Sequence, residues 1–264
     1  MRIIVPIKQV PETSEVKMDE KTGTMIREGV ISIINPLDLY AIEEAILLKE
    51  QMGGEIIVVS MGPAKAIEAI KEAIAMGCDE GYLVSDRKFA GADTWATSYV
   101  LAKAIEQIGS YDLILCGERA TDGDTGQVGP GIASFLNLPV ISYVSELQVQ
   151  DDQIQAKRLV ENGYEVYQSP MPVLLTVVKE ISYPRLPTLR GKQKAKKIQV
   201  PVWDNQQLKL EEQFLGLNGS PTRVVKIFHP KITRQGERLV VKTEEEVSAA
   251  ADRIVQYLET NNLL

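Results

Sequence analysis

The residues whose types and spacing promise chemistry are Cys116-Gly117-Glu118-Arg119-Ala120-Thr121-Asp122-Gly123-Asp124-Thr125-Gly126-Gln127-Val128-Gly129. The segment follows an apolar run that reads as a strand and leads into a stretch that reads as a helix. That places it at the carboxyl edge of a sheet, where open α/β folds bind ligands. Small residues let the backbone approach a ligand closely, and the free N–H groups at a helix start attract phosphate. Thr121, Thr125 and Gln127 add side chains able to hydrogen-bond. A plainer reading stands beside this one: Asp124 or Thr125 caps the helix and the glycines only serve the turn. The segment is neither a P-loop nor a G-x-G-x-x-G fingerprint.

Three other strand or helix ends should converge on the same edge: Pro6-Ile7-Lys8-Gln9-Val10-Pro11, Ser60-Met61-Gly62-Pro63 and Asn35-Pro36-Leu37-Asp38. Pro and Gly at such junctions are ordinary turn chemistry. Lys8, just past a buried strand, is either a cation set near phosphate or a reduced flavin, or a solvated lysine. Other chemistry is scarce. With His229 as the one histidine and no G-x-S-x-G elbow, a Ser/His/Asp hydrolase is excluded. Cys78 and Cys116 form no C-x-x-C pair, which supports neither a disulfide scaffold nor zinc or an iron–sulfur cluster. A formal net charge of -7 argues against general nucleic-acid binding. Any hard chemistry must come from a bound cofactor.

The elements that position these residues follow from the apolar pattern. Residues 2–7, 55–61, 81–85, 111–116 and 139–144 are continuous β-branched runs, as expected of parallel strands covered on both faces. Between them, Asn35 can cap a helix that has Pro36 at its first position and ends at Gly53. A second helix runs from Pro63 to Gly77, a third from an Asp93 cap to about Gln107, and a fourth follows 123–131. The fold class is α/β: a doubly wound, mostly parallel Rossmann-like sheet of the adenine-nucleotide-binding type. Residues 145–150, 153–160, 164–168 and 173–178 read as an antiparallel extension, turning at Asp151-Asp152 and Asn162-Gly163. From Tyr183 the chain reads as irregular, and a final amphipathic helix runs from about Glu244 to Leu258. This arm either docks on something else or packs back on its own domain. The expected division is 1–182 for the nucleotide-binding domain with its extension, 183–200 for a loop with a basic run, and 201–264 for the arm. Of the 264 residues 44% are hydrophobic, and no apolar run approaches the ~20 residues that cross a bilayer. The N-terminus reads as a buried strand, not a signal peptide, so the chain is expected to be soluble and cytoplasmic.

V-P-I-K-Q-V, N-P-L-D, S-M-G-P-A, A-M-G-C-D, D-G-D-T-G-Q, K-R-L-V-E-N-G-Y-E, M-P-V-L-L-T-V and Y-P-R-L-P-T-L-R-G-K-Q-K-A-K-K occur here in this order. Together they resemble the electron-transferring flavoprotein β subunit over essentially the whole chain. The resemblance implies an adenine nucleotide at the sheet edge, held by Pro6, Asn35, Pro36, Leu37, Asp38, Met61 and the loop from Gly117 to Val128. Lys8, Gln9, Val10, Gly62 and Cys116 border that site. In ordinary members the ligand is AMP, and the one FAD sits mainly in the α subunit. In electron-bifurcating members the β subunit binds a second FAD whose adenosine takes the AMP position. K-Q-V-P-E-T, A-T-D-G-D-T-G-Q-V-G-P and N-P-L-D-L-Y-A resemble the bifurcating group, in which NADH is the electron donor. One electron then goes through the α-subunit FAD to a flavin dehydrogenase and the other to ferredoxin or flavodoxin.

The resemblance also implies that Leu189, in the segment 183–197, anchors the partner dehydrogenase, its alternative being a loop residue folded back on the domain. It assigns the C-terminal arm, with G-S-P-T-R-V at 219–224, to the α subunit of a heterodimer. Lys8, Asp122 and Asp124 are candidates for electrostatic tuning of a flavin, and no side chain need act as a general acid or base. A universal-stress-type nucleotide sensor would not need residues 183–264, and an adenylating enzyme would carry an S-G-G-x-D-S-type loop where this chain has I-K-Q-V-P.

Overall fold

The apolar runs form strands in the order that their sequence suggests. The structure is a computed structural model and describes residues 1–12, 31–225, 236 and 238–263. Its first compact unit is Met1–Val225 and its second Lys226–Leu264. In the first, β1 (Arg2–Pro6) is followed by two short strands paired antiparallel, β2 (Gln9–Pro11) and β3 (Ser32–Ile34). Then follow α1 (Asp38–Met52), β4 (Glu55–Met61), α2 (Ile67–Met76), β5 (Glu80–Val84), α3 (Thr94–Ile108), β6 (Leu113–Gly117) and α4 (Val128–Leu136). Next come β7 (Val140–Gln150), β8 (Gln153–Val160), β9 (Gly163–Pro170), β10 (Val173–Val177), α5 (Leu189–Lys197), β11 (Val202–Trp203), α6 (Asn205–Leu208) and α7 (Gly216–Gly219).

Nine strands make one sheet in the order β11-β5-β4-β1-β6-β10-β7-β8-β9. The pairs from β11 to β7 are parallel, whereas β7–β8 and β8–β9 are antiparallel. Both faces of the parallel part are covered. Ile3, Val5, Leu113 and Leu115 pack with α1 and α2, while Ile4 and Ile114 pack with α3 and α4. Successive side chains of a strand point to opposite faces, so a strand covered twice must be apolar throughout. The chain builds outward from β1 to β4 and β5 and then returns to β6 on the other flank of β1. That reversal is the topological switch point, a crevice at the carboxyl ends of β1 and β6.

Three sequence expectations need correction. Residues 173–178 do not belong to the antiparallel extension: β10 inserts between β6 and β7 as a parallel strand, and all of its residues are buried. A run of four apolar residues interrupted only by Thr176 is the pattern of a doubly covered strand, and adjacency in sequence to a meander hid it. Asn35 is not a helix cap, because α1 starts at Asp38 and the Asn35 side chain is spent elsewhere. The stretch after Tyr183 is not wholly irregular. Its two prolines precede α5, whose Lys, Gln and Ala residues favour helix, and the Thr188 hydroxyl caps it by accepting from Gly191 N–H. Residues 183–225 fall in the first unit, with α5 against α2 and β11 paired to β5.

In the second unit, α8 (Glu244–Thr260) opens with a capping box between Thr243 and Glu246. Its apolar Val247, Ile254 and Val255 are exposed. His229 lies outside the described residues. Among those described, no helix is long and apolar enough to cross a membrane.

Candidate functional site

At the switch point, the loop after β1, the start of α1 and the loop after β6 are tied by one buried knot. Asp38 is nearly inaccessible and accepts twice: Lys8 N–H donates to Oδ2 at 2.7 Å and Asn35 Nδ2 to Oδ1 at 2.8 Å. Asn35, wholly buried, also donates from Nδ2 to the Arg119 carbonyl at 2.9 Å, and its Oδ1 accepts from Thr121 N–H at 3.1 Å. An amide is suited to this role because it offers donors and an acceptor at once. Burial raises the Asp38 carboxyl to about 7, against the lowering effect of the Lys8 and Asn35 hydrogen bonds and the Lys8 charge.

Above the knot, Lys8 Nζ pairs with Asp122 Oδ1 at 2.6 Å and keeps about half of its side chain in solvent. An exposed pair of this kind contributes little to stability, so a ligand anion can compete for the lysine at small cost. Arg119 Nε lies 3.0 Å from Asp124 Oδ1, and Asp124 itself is left-handed at φ 52. Asp124 and Thr125 therefore do not cap α4. The capping position is Gln127, which makes no capping bond, and its Oε1 accepts instead from Thr94 Oγ1 at 3.1 Å. The first N–H groups of α4 are thus not taken up by a side-chain cap, as an anion site requires.

Glycine positions define the shape. A β-carbon on Gly117 would overlap Asp38 Oδ1 and lie 2.8 Å from the Leu37 carbonyl, so α1 can approach β6 only over a glycine. One on Gly129 would lie 2.7 Å from Thr176 Cγ2, which presses α4 onto β10. Gly123 has nothing within 4 Å and stands in the open part of the loop.

The sequence-predicted residues separate by depth. Lys8 and the loop residues Glu118, Arg119, Ala120, Thr121, Asp122, Gly123, Asp124, Thr125, Gly126 and Gln127 are at least partly exposed, as are Pro36, Leu37, Met61 and Gly62. Pro6, Val10, Asn35, Asp38 and Cys116 are buried and act from beneath. Gln9 Nε2 donates to the Lys65 carbonyl at 3.3 Å, which ties the β2–β3 pair to the turn before α2. Both cysteines are buried and unpaired, and burial pushes the Cys78 thiol up to about 12 and Cys116 further still. Neither is a nucleophile at neutral pH. Leu189 is not folded back; it opens α5 with 78% of its surface exposed.

Two participants were not anticipated. Arg185 bridges Glu43 and Glu50 of α1 and so fastens the segment before Leu189 to the helix that starts at the site. Tyr143 sits at φ 62 beside the same loop, and it gave no signal because a Tyr inside a β-branched run reads as an ordinary strand residue.

A family profile described as "Electron transfer flavoprotein domain" matches residues 22–208. The chain is 47% identical to the electron transfer flavoprotein subunit beta of Thermoanaerobacterium thermosaccharolyticum, covering 96% of this chain and 98% of that one. It is 47% identical to the caffeyl-CoA reductase-Etf complex subunit CarD of Acetobacterium woodii, covering 95% and 96%. It is 42% identical to the electron transfer flavoprotein subunit beta of Megasphaera elsdenii over the whole of both chains. The chain belongs to the electron transfer flavoprotein family, among its β subunits.

Proposed function

We propose that this chain is the FAD-binding β subunit of an electron-bifurcating flavoprotein, with NADH as donor and the switch-point crevice as its nucleotide site. The observation that carries the reading is the knot of Asn35, Asp38, Arg119 and Thr121, which stitches two loops together in front of the uncapped start of α4. The donor set fits an adenine dinucleotide. Backbone N–H groups of the 117–128 loop and of α4 take phosphate, Lys8 supplies a cation, and Gly123 leaves room. Ser60, near the end of β4, adds a buried hydroxyl with no partner among the described residues. Bound flavin supplies hydride acceptance and one-electron transfer. The protein's own work is to bind it, hold it against an acceptor and set the charge around it through Lys8, Asp122 and Asp124.

The expected partners are the α subunit, which carries its own FAD, a flavin dehydrogenase that docks at Leu189, and ferredoxin or flavodoxin. The relative named as part of a caffeyl-CoA reductase-Etf complex supports a dehydrogenase partner of the acyl-CoA reductase kind. The cytoplasm is the compartment in which such partners meet. The second reading is an ordinary β subunit holding AMP as a structural element, since the same amides and Lys8 suit a single phosphate.

Flavin and AMP content of the complex co-expressed with its α partner separates the two. The expected result is two FAD per heterodimer and no AMP. One FAD with one AMP would establish the second reading, and no nucleotide on this chain would end both.

A further inference from the structure

Tyr143 stands where β7 leaves the parallel core for the antiparallel extension. The ladder to β10 shifts register between Leu175 and Val177, and the ladder to β8 shifts between Val144 and Glu146. At this double irregularity the backbone takes φ 62. The bend needs a left-handed residue, and glycine adopts that conformation without strain. Among the described residues, the other left-handed ones that are not glycine are Asp, Asn or Lys, so an aromatic ring here is exceptional.

The strained backbone aims the side chain. Tyr143 N–H donates to Thr176 Oγ1 at 3.1 Å, and the methyl of Thr176 abuts the first turn of α4. The phenol oxygen lies 3.6 Å from where a β-carbon of Gly126 would stand, so the ring reaches from β7 to the 117–128 loop, two residues before α4 begins. The residue is 41% exposed, and its hydroxyl makes no hydrogen bond with any described residue. A strained, outward-facing aromatic with a spare donor beside an uncapped helix start is poorly explained by packing. Strain of this kind collects where a ligand is clamped.

We propose that Tyr143 is a phosphate-binding residue of the nucleotide site, its hydroxyl donating to the phosphate that the α4 amides receive. This rests on the nucleotide-binding reading above. The phenol supplies a donor from the β7 side, opposite Lys8, so the phosphate is held from both flanks of the crevice.

The heterodimer, freed of nucleotide, is titrated with AMP and with adenosine, as wild type and as Tyr143→Phe. The substitution keeps the ring and removes only the donor. AMP affinity should fall roughly tenfold while adenosine stays within about twofold, as loss of one hydrogen bond to a charged oxygen dictates. Equal losses for the two ligands, or none for either, overturn the assignment. Tyr143→Gly, which relieves the backbone, should weaken AMP at least as much; a glycine variant that binds AMP like wild type also overturns it. A wild-type complex that binds neither AMP nor FAD on this chain removes the nucleotide reading itself, and the inference with it.

Discussion

A β-carbon on Gly117 would stand 2.8 Å from both the carbonyl carbon and oxygen of Leu37, and these are backbone atoms that cannot rotate away. Gly117→Ala must therefore push α1 from β6 and disturb the Asp38 knot. Overpacking of this kind costs about 1–3 kcal/mol, or a few to about 10 °C in melting temperature for a unit of this size. Nucleotide affinity should drop more than about tenfold because the paired loops separate. Gly123→Ala is the matched control: its β-carbon meets nothing within 4 Å, so stability should stay within about 0.5 kcal/mol. Thermal melts of the two variants check this, and equal melting temperatures would show that the close approach is not needed. The sequence made the loop legible as a glycine-rich turn, but it did not distinguish the glycine that admits a helix from the one that faces open space. That difference depends on the position of α1, which lies far off in sequence.

Elements carry the link between the site and the surface around Leu189. Arg185 Nε and Nη2 donate to Glu43 at 3.0 and 2.9 Å, Nη1 donates to Glu50 at 2.6 Å, and Ser182 Oγ donates to the Tyr40 carbonyl at 3.2 Å. Glu43 is buried, so Arg185→Met leaves its carboxylate without a counter-charge, held only by the backbone N–H of residue 185, and should destabilise the chain by about 2–4 kcal/mol. Glu43→Gln in the same chain should recover part of the loss, since a neutral amide is cheaper to bury without a counter-charge. Urea unfolding of the single and double variants tests the coupling, and additive losses would rule it out. The parallel core, both hairpin turns of the extension, and the positions of α2, α3 and α8 were legible because periodicity and punctuation are local signals. The place of β10 in the sheet, the start of α5 and the Arg185 bridge were not, because each is settled by a partner distant in sequence. Asn35 shows the same limit at one residue: its type and its place before Pro36 suit a cap, yet its amide is taken by Arg119 and Thr121 across the sheet.

At the scale of the whole molecule, two buried carboxyls set the direction in which stability depends on pH. Burial raises Asp38 to about 7, and burial with the nearby Glu43 charge raises Glu44 to about 7. In the unfolded chain both titrate near 4. Between those values the folded protein holds protons that the unfolded chain has released. The stability they contribute is full below about pH 4 and is lost as pH rises through 7. Each group gives a slope of up to about 1.4 kcal/mol per pH unit in that window. The net charge of -7 adds self-repulsion in the same direction. Asp86 and Glu50 work oppositely. Hydrogen bonds from Lys88 and Asn205 N–H hold Asp86 below the usual carboxylate range, and the Arg185 guanidinium does the same for Glu50. Their contribution is present above about pH 4 and disappears as pH falls further. Unfolding free energy of the nucleotide-free protein should therefore peak near pH 4 and decline toward 7.5. Asp38→Asn with Glu44→Gln should flatten the decline. A wild-type profile that is level or rising from pH 5 to 7, measured by urea unfolding across that range, would contradict the assignment of these two carboxyls as proton-holding groups. If the wild-type slope survives in the double variant, the proton uptake belongs to other residues.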